Sequence, residues 1–138
     1  MSAADGAGEL FAAARQVHAN AYVPYCRFPV AAAIRSASGH IYCGVNVDNR
    51  SPAHTACAEA NALGAMIAAG EREIVAVLVL AGRAGDGMLC TPCGGCRQRL
   101  AEYAGPDARL HLCDQTGVVE TLAMRDVLPL GFAGDTLR

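Results

Sequence analysis

The sequence predicts an α/β domain in which a central mixed sheet is covered by helices on both faces. Three features point there. An Ala-rich amphipathic stretch opens the chain, and a fully apolar run rich in β-branched residues lies at its middle. Helical and extended segments then alternate in the order α-β-β-α-β-α-β-β-α, with five strands. At 138 residues the length fits a single domain over 1–138 that can bury a real core.

Residues 10–21 carry a stripe of Leu10, Phe11, Ala14, Val17 and Ala21, an amphipathic helix that Val23-Pro24-Tyr25 stops. Residues 28–35 and 40–47 read as strands, and Ser36-Ala37-Ser38-Gly39 between them makes an antiparallel hairpin the simplest connection. Residues 57–69 are rich in Ala, Leu and Met, with Gly70 placed as a C-terminal cap, so they form a helix. The run 74–80 is a strand buried on both faces. Another helix begins near Pro92 or Cys93 and runs to about Tyr103. Residues 109–113 make a short strand, 118–122 a weaker one, and 123–128 a last helical turn before Pro129.

A net charge of −2 argues against a nucleic-acid polymer or a membrane as partner, since such surfaces show an excess of Lys and Arg. Trp is absent and other aromatics are few, which disfavours a groove of base-stacking platforms. Met1 to Leu10 holds Asp5 and Glu9 and lacks a basic segment followed by an apolar run, so no export signal is visible. The longest apolar run is too short to span a bilayer. A cytoplasmic, reducing setting is expected, where seven cysteines point to metal ligands and buried thiols rather than disulfides.

The strongest chemical signal is Cys57-Ala58-Glu59 followed by Pro92-Cys93-Gly94-Gly95-Cys96. A catalytic zinc takes three ligands from the protein and leaves the fourth position for water. Cys93 and Cys96, three apart at the start of a helix, turn their sulfurs the same way, and Cys57 at the start of another supplies the third. Helix N-termini stabilise thiolates. Glu59 adds what a structural zinc knuckle does not need, a base to move the proton of water. A Cys or His, one residue, a Glu, and later Pro-Cys-x-x-Cys is the pattern of zinc deaminases. Mid-helix, an i, i+2 offset would splay Cys57 and Glu59, so the pocket must lie at the helix's N-terminal end. Two other readings use the same residues: a redox Cys-x-x-Cys pair, and a closed four-thiolate site that adds Cys90. The first lacks a thioredoxin-like βα context, and the second leaves Glu59 and Pro92 as coincidences. Cys26, Cys43 and Cys113 fall in or beside strands and read as small buried hydrophobes.

Five segments in order resemble the small homotetrameric cytidine deaminases of the three-cysteine zinc class. They are the 22–30 stretch YVPYCRFPV, the 44–49 stretch GVNVDN, the Cys57-Ala58-Glu59 triplet, the 92–103 stretch PCGGCRQRLAEY, and 127–132 (VLPLGF) with Asp135 and Leu137 after it. The resemblance implies a three-layer αβα sandwich with a central mixed five-stranded sheet. It implies zinc held by Cys57, Cys93 and Cys96, with Glu59 as proton shuttle. Phe28 would pack on the pyrimidine, the backbone of Ala58 would contact the base, and Asn46 and Asp48 would hydrogen-bond a ribose hydroxyl. Phe132 would reach into a neighbouring subunit's site, although from the residues alone Phe28 and Phe132 read as ordinary core. The implied reaction is hydrolytic deamination of cytidine or deoxycytidine. A modified cytosine nucleoside or a nucleoside antibiotic such as blasticidin is the alternative substrate, and a structural zinc module for protein interaction the alternative class.

The sequence departs from the family at four places. Asp48 stands for a Glu one methylene longer, and Ala60 stands where an Arg follows C-A-E. Ser51-Pro52-Ala53 replaces an expected aromatic, with His54 just after it, and Ala31 replaces a Gly in the first strand. Asp48 would then hold a ribose hydroxyl from farther back, and His54 is a candidate to compensate for the missing Arg or a plain solvated loop histidine.

Overall fold

A computed structural model describes residues 6–82 and 89–132. The elements in chain order are α1 (Ala7–His18), β1 (Val30–Ser36), β2 (Ile41–Val45), α2 (Ala58–Ala68), β3 (Ile74–Ala81), α3 (Gly94–Tyr103), β4 (Ala104–Asp114), β5 (Gly117–Ala123) and α4 (Met124–Val127), with a 3₁₀ turn at Pro52–His54. They build one five-stranded sheet in the order β2-β1-β3-β4-β5. β3 and β4 run parallel and every other neighbouring pair antiparallel, so the sheet is mixed as expected.

The alternation of side chains across the sheet sorts the helices into two layers. Ala31 and Ala33 of β1, with Ala76, Leu78 and Leu80 of β3, face Leu10 and Ala14 of α1. Their neighbours Ala32, Ile34, Val77 and Val79 face the other way, against Ala62 and Met66 of α2, Leu100 of α3 and Met124 of α4. The helix-sheet-helix layering is the three-layer sandwich the sequence predicts.

Three boundaries differ from the sequence reading, each for a tertiary reason. α1 covers Ala7–His18, not 10–21. Residues 19–22 leave the helix because Tyr22 makes a parallel bridge with Val47: the Tyr22 N–H bonds Asn46 O at 3.1 Å and the Asp48 N–H bonds Tyr22 O at 2.7 Å. β4 begins at Ala104, not 109, because Ala104 pairs with Ile74 and Arg109 with Ala76, and the intervening turn-like Gly105-Pro106-Asp107-Ala108 bulges out of the ladder. The first hairpin strand shifts to Val30–Ser36, its end pairing Ser36 with Ile74 of β3, and the second shortens to Ile41–Val45, as Val47 bridges Tyr22 and Ala56 instead of β1.

Two devices place α2. Its C-terminus closes as expected at Gly70, φ 92°: the Gly70 N–H bonds Ile67 O at 2.9 Å and the Glu71 N–H bonds Met66 O at 3.2 Å, the double bond of a Schellman end. Its N-terminal turns lie on β2 at Gly44, where a Cβ would stand 2.4 Å from Ala62 N and 2.6 Å from Ala58 O.

Candidate metal centre and active site

Cys57 and Cys93 are the N-cap residues of α2 and α3, in extended conformation with ψ of 150° and 163°. Cys96 lies one turn into α3 and is buried. The three sulfurs lie within 4.8 Å of one another, those of Cys57 and Cys93 at 4.0 Å. Two thiolates bound tetrahedrally at about 2.3 Å from one zinc stand roughly 3.8 Å apart, so the spacing suits such an ion. Cys90 is not in this group; its thiol donates to Thr91 O at 3.5 Å. Cys90 lines the same cavity, and burial and the charges of Glu59, Cys93 and Cys57 raise its thiol, but the converging group of sulfurs is Cys57, Cys93 and Cys96.

The electrostatics of the group call for a cation. The Cys93 thiol is held below its ordinary range, chiefly by the Cys96 backbone N–H at the start of α3. Cys57 and Cys96 lie above theirs, because burial outweighs what the helix N-termini contribute. Burial raises both, and for Cys96 the negative charges of Glu59 and Cys57 add to it. Glu59, only 6% exposed, is also pushed above the usual carboxylate range by burial. As thiolates and carboxylate the three sulfurs and Glu59 would repel, and a divalent ion among them would offset that; a soft N/S-seeking ion such as zinc fits the donor set. The Arg absent at Ala60 has a partial counterpart in Arg99, whose Nη1 lies 3.8 Å from the Cys96 sulfur.

A cavity of about 640 Å³ opens on this group and is lined by Phe28, Asn46, Asp48, Cys57, Ala58, Glu59 and Cys93, among others. It lies at the N-terminal ends of α2 and α3, as the i, i+2 placement of Cys57 and Glu59 requires. A comparable hollow of about 720 Å³ lies between α1 and β5, but no cysteine lines it. The antiparallel bridge between Val47 and Ala56, closed by bonds of 2.9 and 3.0 Å, carries the chain from the Asn46–Asp48 wall directly into Cys57.

Asn46 and Asp48 bind the protein itself. Asn46 Oδ1 accepts the Val30 N–H at 2.9 Å, and Nδ2 donates to Phe28 O at 2.8 Å. Asp48 Oδ2 accepts the N–H groups of Tyr25 at 3.1 Å and Cys26 at 2.9 Å. Those bonds, foremost that of the Cys26 N–H, hold the Asp48 carboxyl below the usual range.

The sequence reading missed Tyr25, Cys26, Thr55 and Thr91 as cavity wall. Tyr25 and Cys26 fell in a segment already singled out and Thr91 lies between Cys90 and Pro92, while Cys26, expected as a buried hydrophobe, is exposed on the cavity wall. Arg97 was also overlooked: it braces the Thr91-Pro92 rim, donating from Nε to Pro92 O at 2.9 Å and from Nη2 to Thr91 Oγ1 at 3.1 Å. His54 is exposed and outside the lining, which leaves the solvated-histidine reading. Phe132 is 70% exposed and lines neither this cavity nor the core, so the core reading for it falls. Phe28 lines the cavity. Asp135 and Leu137 lie outside the described residues.

The family model of the cytidine and deoxycytidylate deaminase zinc-binding region matches residues 6–110. A cytidine deaminase of Sporosarcina psychrophila is 34% identical over 129 residues, covering 94% of this chain and 93% of the relative. One of Mycobacterium tuberculosis is 39% identical over 124 residues, covering 90% and 87%. The crystal structure of cytidine deaminase from Burkholderia pseudomallei superposes with a TM-score of 0.82 at 35% identity, covering 91% of this chain and 98% of that one.

Proposed function

Because the chain belongs to the cytidine and deoxycytidylate deaminase family, we propose that its substrates are cytidine and deoxycytidine, hydrolysed to uridine and deoxyuridine with release of ammonia. It is a zinc-dependent deaminase; the observation that carries the reading is a buried Glu59 beside three converging cysteine sulfurs at one end of an open cavity. Cys57, Cys93 and Cys96 would hold the ion. When bound, zinc supplies the positive charge that makes water a nucleophile at neutral pH. Glu59 takes one proton from the attacking water and delivers it to the ring nitrogen, then carries the second, from the hydroxyl now on the ring carbon, to the departing amine. Its burial raises its pKa toward the operating range of a base that must also act as an acid. The backbone of Ala58 meets the base at the α2 N-terminus, Phe28 packs on the ring, and Asn46 and Asp48 form the sugar side of the wall.

We place the enzyme in the cytoplasm, where its seven free cysteines stay reduced; among the described residues no helix is long and apolar enough to cross a membrane. One domain over 1–138, a homotetramer with Phe132 serving a neighbour's site, and a role in pyrimidine salvage complete the proposal.

Glu59→Gln tests the core of it. Fold and zinc content should match the wild type while turnover of cytidine, followed by its ultraviolet change, falls at least ~10²–10⁴-fold. A variant keeping a tenth of the wild-type rate places the base elsewhere. A wild type that releases ammonia from modified cytosine nucleosides but not from cytidine moves the substrate assignment to those.

A further inference from the structure

Three thiolates carry more negative charge than one divalent ion cancels, and the buried Glu59 lies beside them. Thiols shed their protons when they take a metal, so the loaded site is more negative than the empty one. A fixed cation against one of the sulfurs therefore favours the loaded state. The first turn of α2, residues 58–61 with Ala60 among them, holds no cation. The neighbouring helix α3 supplies one.

Arg99 stands one turn after Cys96 on the same face of α3. Helical side chains lean toward the helix N-terminus, so its long arm runs back over the first turn, and Nη1 donates to the Cys96 sulfur at 3.8 Å. The path is open because residue 95 is glycine: a Cβ there would stand 3.2 Å from Nη1. Cys96 is buried and Arg99 exposed, so the contact joins an enclosed sulfur to a cation at the surface. A guanidinium over an N-terminal turn opposes the helix dipole, a placement that a cluster of thiolates rewards. Arg97 is committed elsewhere, with Nε on Pro92 O and Nη2 on Thr91 Oγ1.

We infer that Arg99 is the countercharge of the metal centre: through Cys96 it offsets the negative charge of the zinc-loaded site and strengthens zinc binding. Arg99 does not line the cavity, so it is a positioning residue that acts through a metal ligand and not on the substrate. The inference rests on the zinc site described above. It also assigns Gly95 a part, since a side chain there would crowd the guanidinium off the sulfur.

The test compares zinc-loaded wild type with Arg99→Lys, Arg99→Gln and Arg99→Glu, by competition against a chromogenic zinc chelator at neutral pH in low and in molar salt. Zinc affinity should fall in that order, with Arg99→Gln about tenfold below wild type at low salt. Molar salt should narrow the spread, because the guanidinium is exposed and its charge is screened. Helix content by circular dichroism should match in all four proteins, since each of these side chains is a good helix former. Equal affinities, an order that ignores charge, or a spread that molar salt leaves intact would overturn the inference. A wild type that takes up no zinc would sink the zinc reading along with it, whereas a zinc-bearing wild type matched by Arg99→Gln would overturn the inference alone.

Discussion

Cys96 is the most enclosed of the three sulfurs, and burial alone would favour its neutral thiol. Its neighbours make sense only around a cation: Cys57 and Cys93 within 4.8 Å, and Glu59 close enough to raise its pKa. Cys96→Ser should therefore lower zinc affinity by well over the roughly 10–100-fold that loss of a mere supporting group costs. Cys90→Ser should leave zinc content at one per chain, because the Cys90 thiol turns to Thr91 O. Elemental analysis of both variants checks this; loss of metal from Cys90→Ser would restore the four-thiolate site. The ligands and Glu59 were legible in the sequence because the chemistry restricts residue type as well as spacing. Asn46 and Asp48 were legible as polar residues at a strand end, but their partners, backbone groups of residues 25–30, carry no side-chain signature.

At the scale of the element, α2 is the part on which the site depends, since it carries Cys57, Ala58 and Glu59 at one end. Gly44 lets it lie against β2; the atoms a Cβ would meet are helix backbone, which cannot rotate away. Gly44→Ala should cost about 1–3 kcal/mol of stability by overpacking and reduce kcat by tilting the helix end. Denaturant unfolding and steady-state rates measure the two, and an unchanged stability would show that β2 yields instead. At the other end Glu71 follows the Gly70 cap and accepts the Tyr42 hydroxyl, with Ser38, Ser36 and His40 beside it. These partners hold its carboxyl down from 4.5 to about 2. A depressed carboxylate stabilises the fold above its unfolded pKa and loses that contribution as pH falls through the folded one. Glu71→Gln should then be less stable than the wild type at pH 7, and the gap should close between about pH 4.5 and 2 in thermal melts. A gap that persists at pH 2 would assign the effect to packing. The Gly70 stop was readable from the sequence because helix termination there is local. The early end of α1 and the bulge opening β4 were not, because both follow from strands that pair far away in the chain.

For the whole molecule, the last described turn is the part a solitary chain explains least. Leu130 is fully exposed at a left-handed φ of 54°, and Phe132 stands 70% exposed two residues on. The segment is nonetheless tied down: Gln98 Nε2 donates to Phe132 O at 3.1 Å, which fixes the backbone and leaves the ring outside. Large apolar side chains held outward are a common mark of a surface that another subunit covers. In the proposed homotetramer the ring would enter a neighbour's cavity, whose own chain supplies one aromatic ring from Phe28 and another from Tyr25. Phe132→Ala should then lower kcat/KM on cytidine by at least roughly tenfold, as the ~1.5–3 kcal/mol of burying such a side chain implies, while zinc content and monomer stability hold. A monomeric enzyme would show no such loss, because within one chain Phe132 does not line the cavity. Mixing inactive Glu59→Gln chains with weakened Phe132→Ala chains, whose Glu59 is intact, sharpens the test. If rings cross between subunits, hybrid tetramers regain at the intact Glu59 sites the affinity that the Phe132→Ala homotetramer lacks. Light scattering that gives a monomer at micromolar concentration, or hybrids that recover nothing, would remove Phe132 from the site.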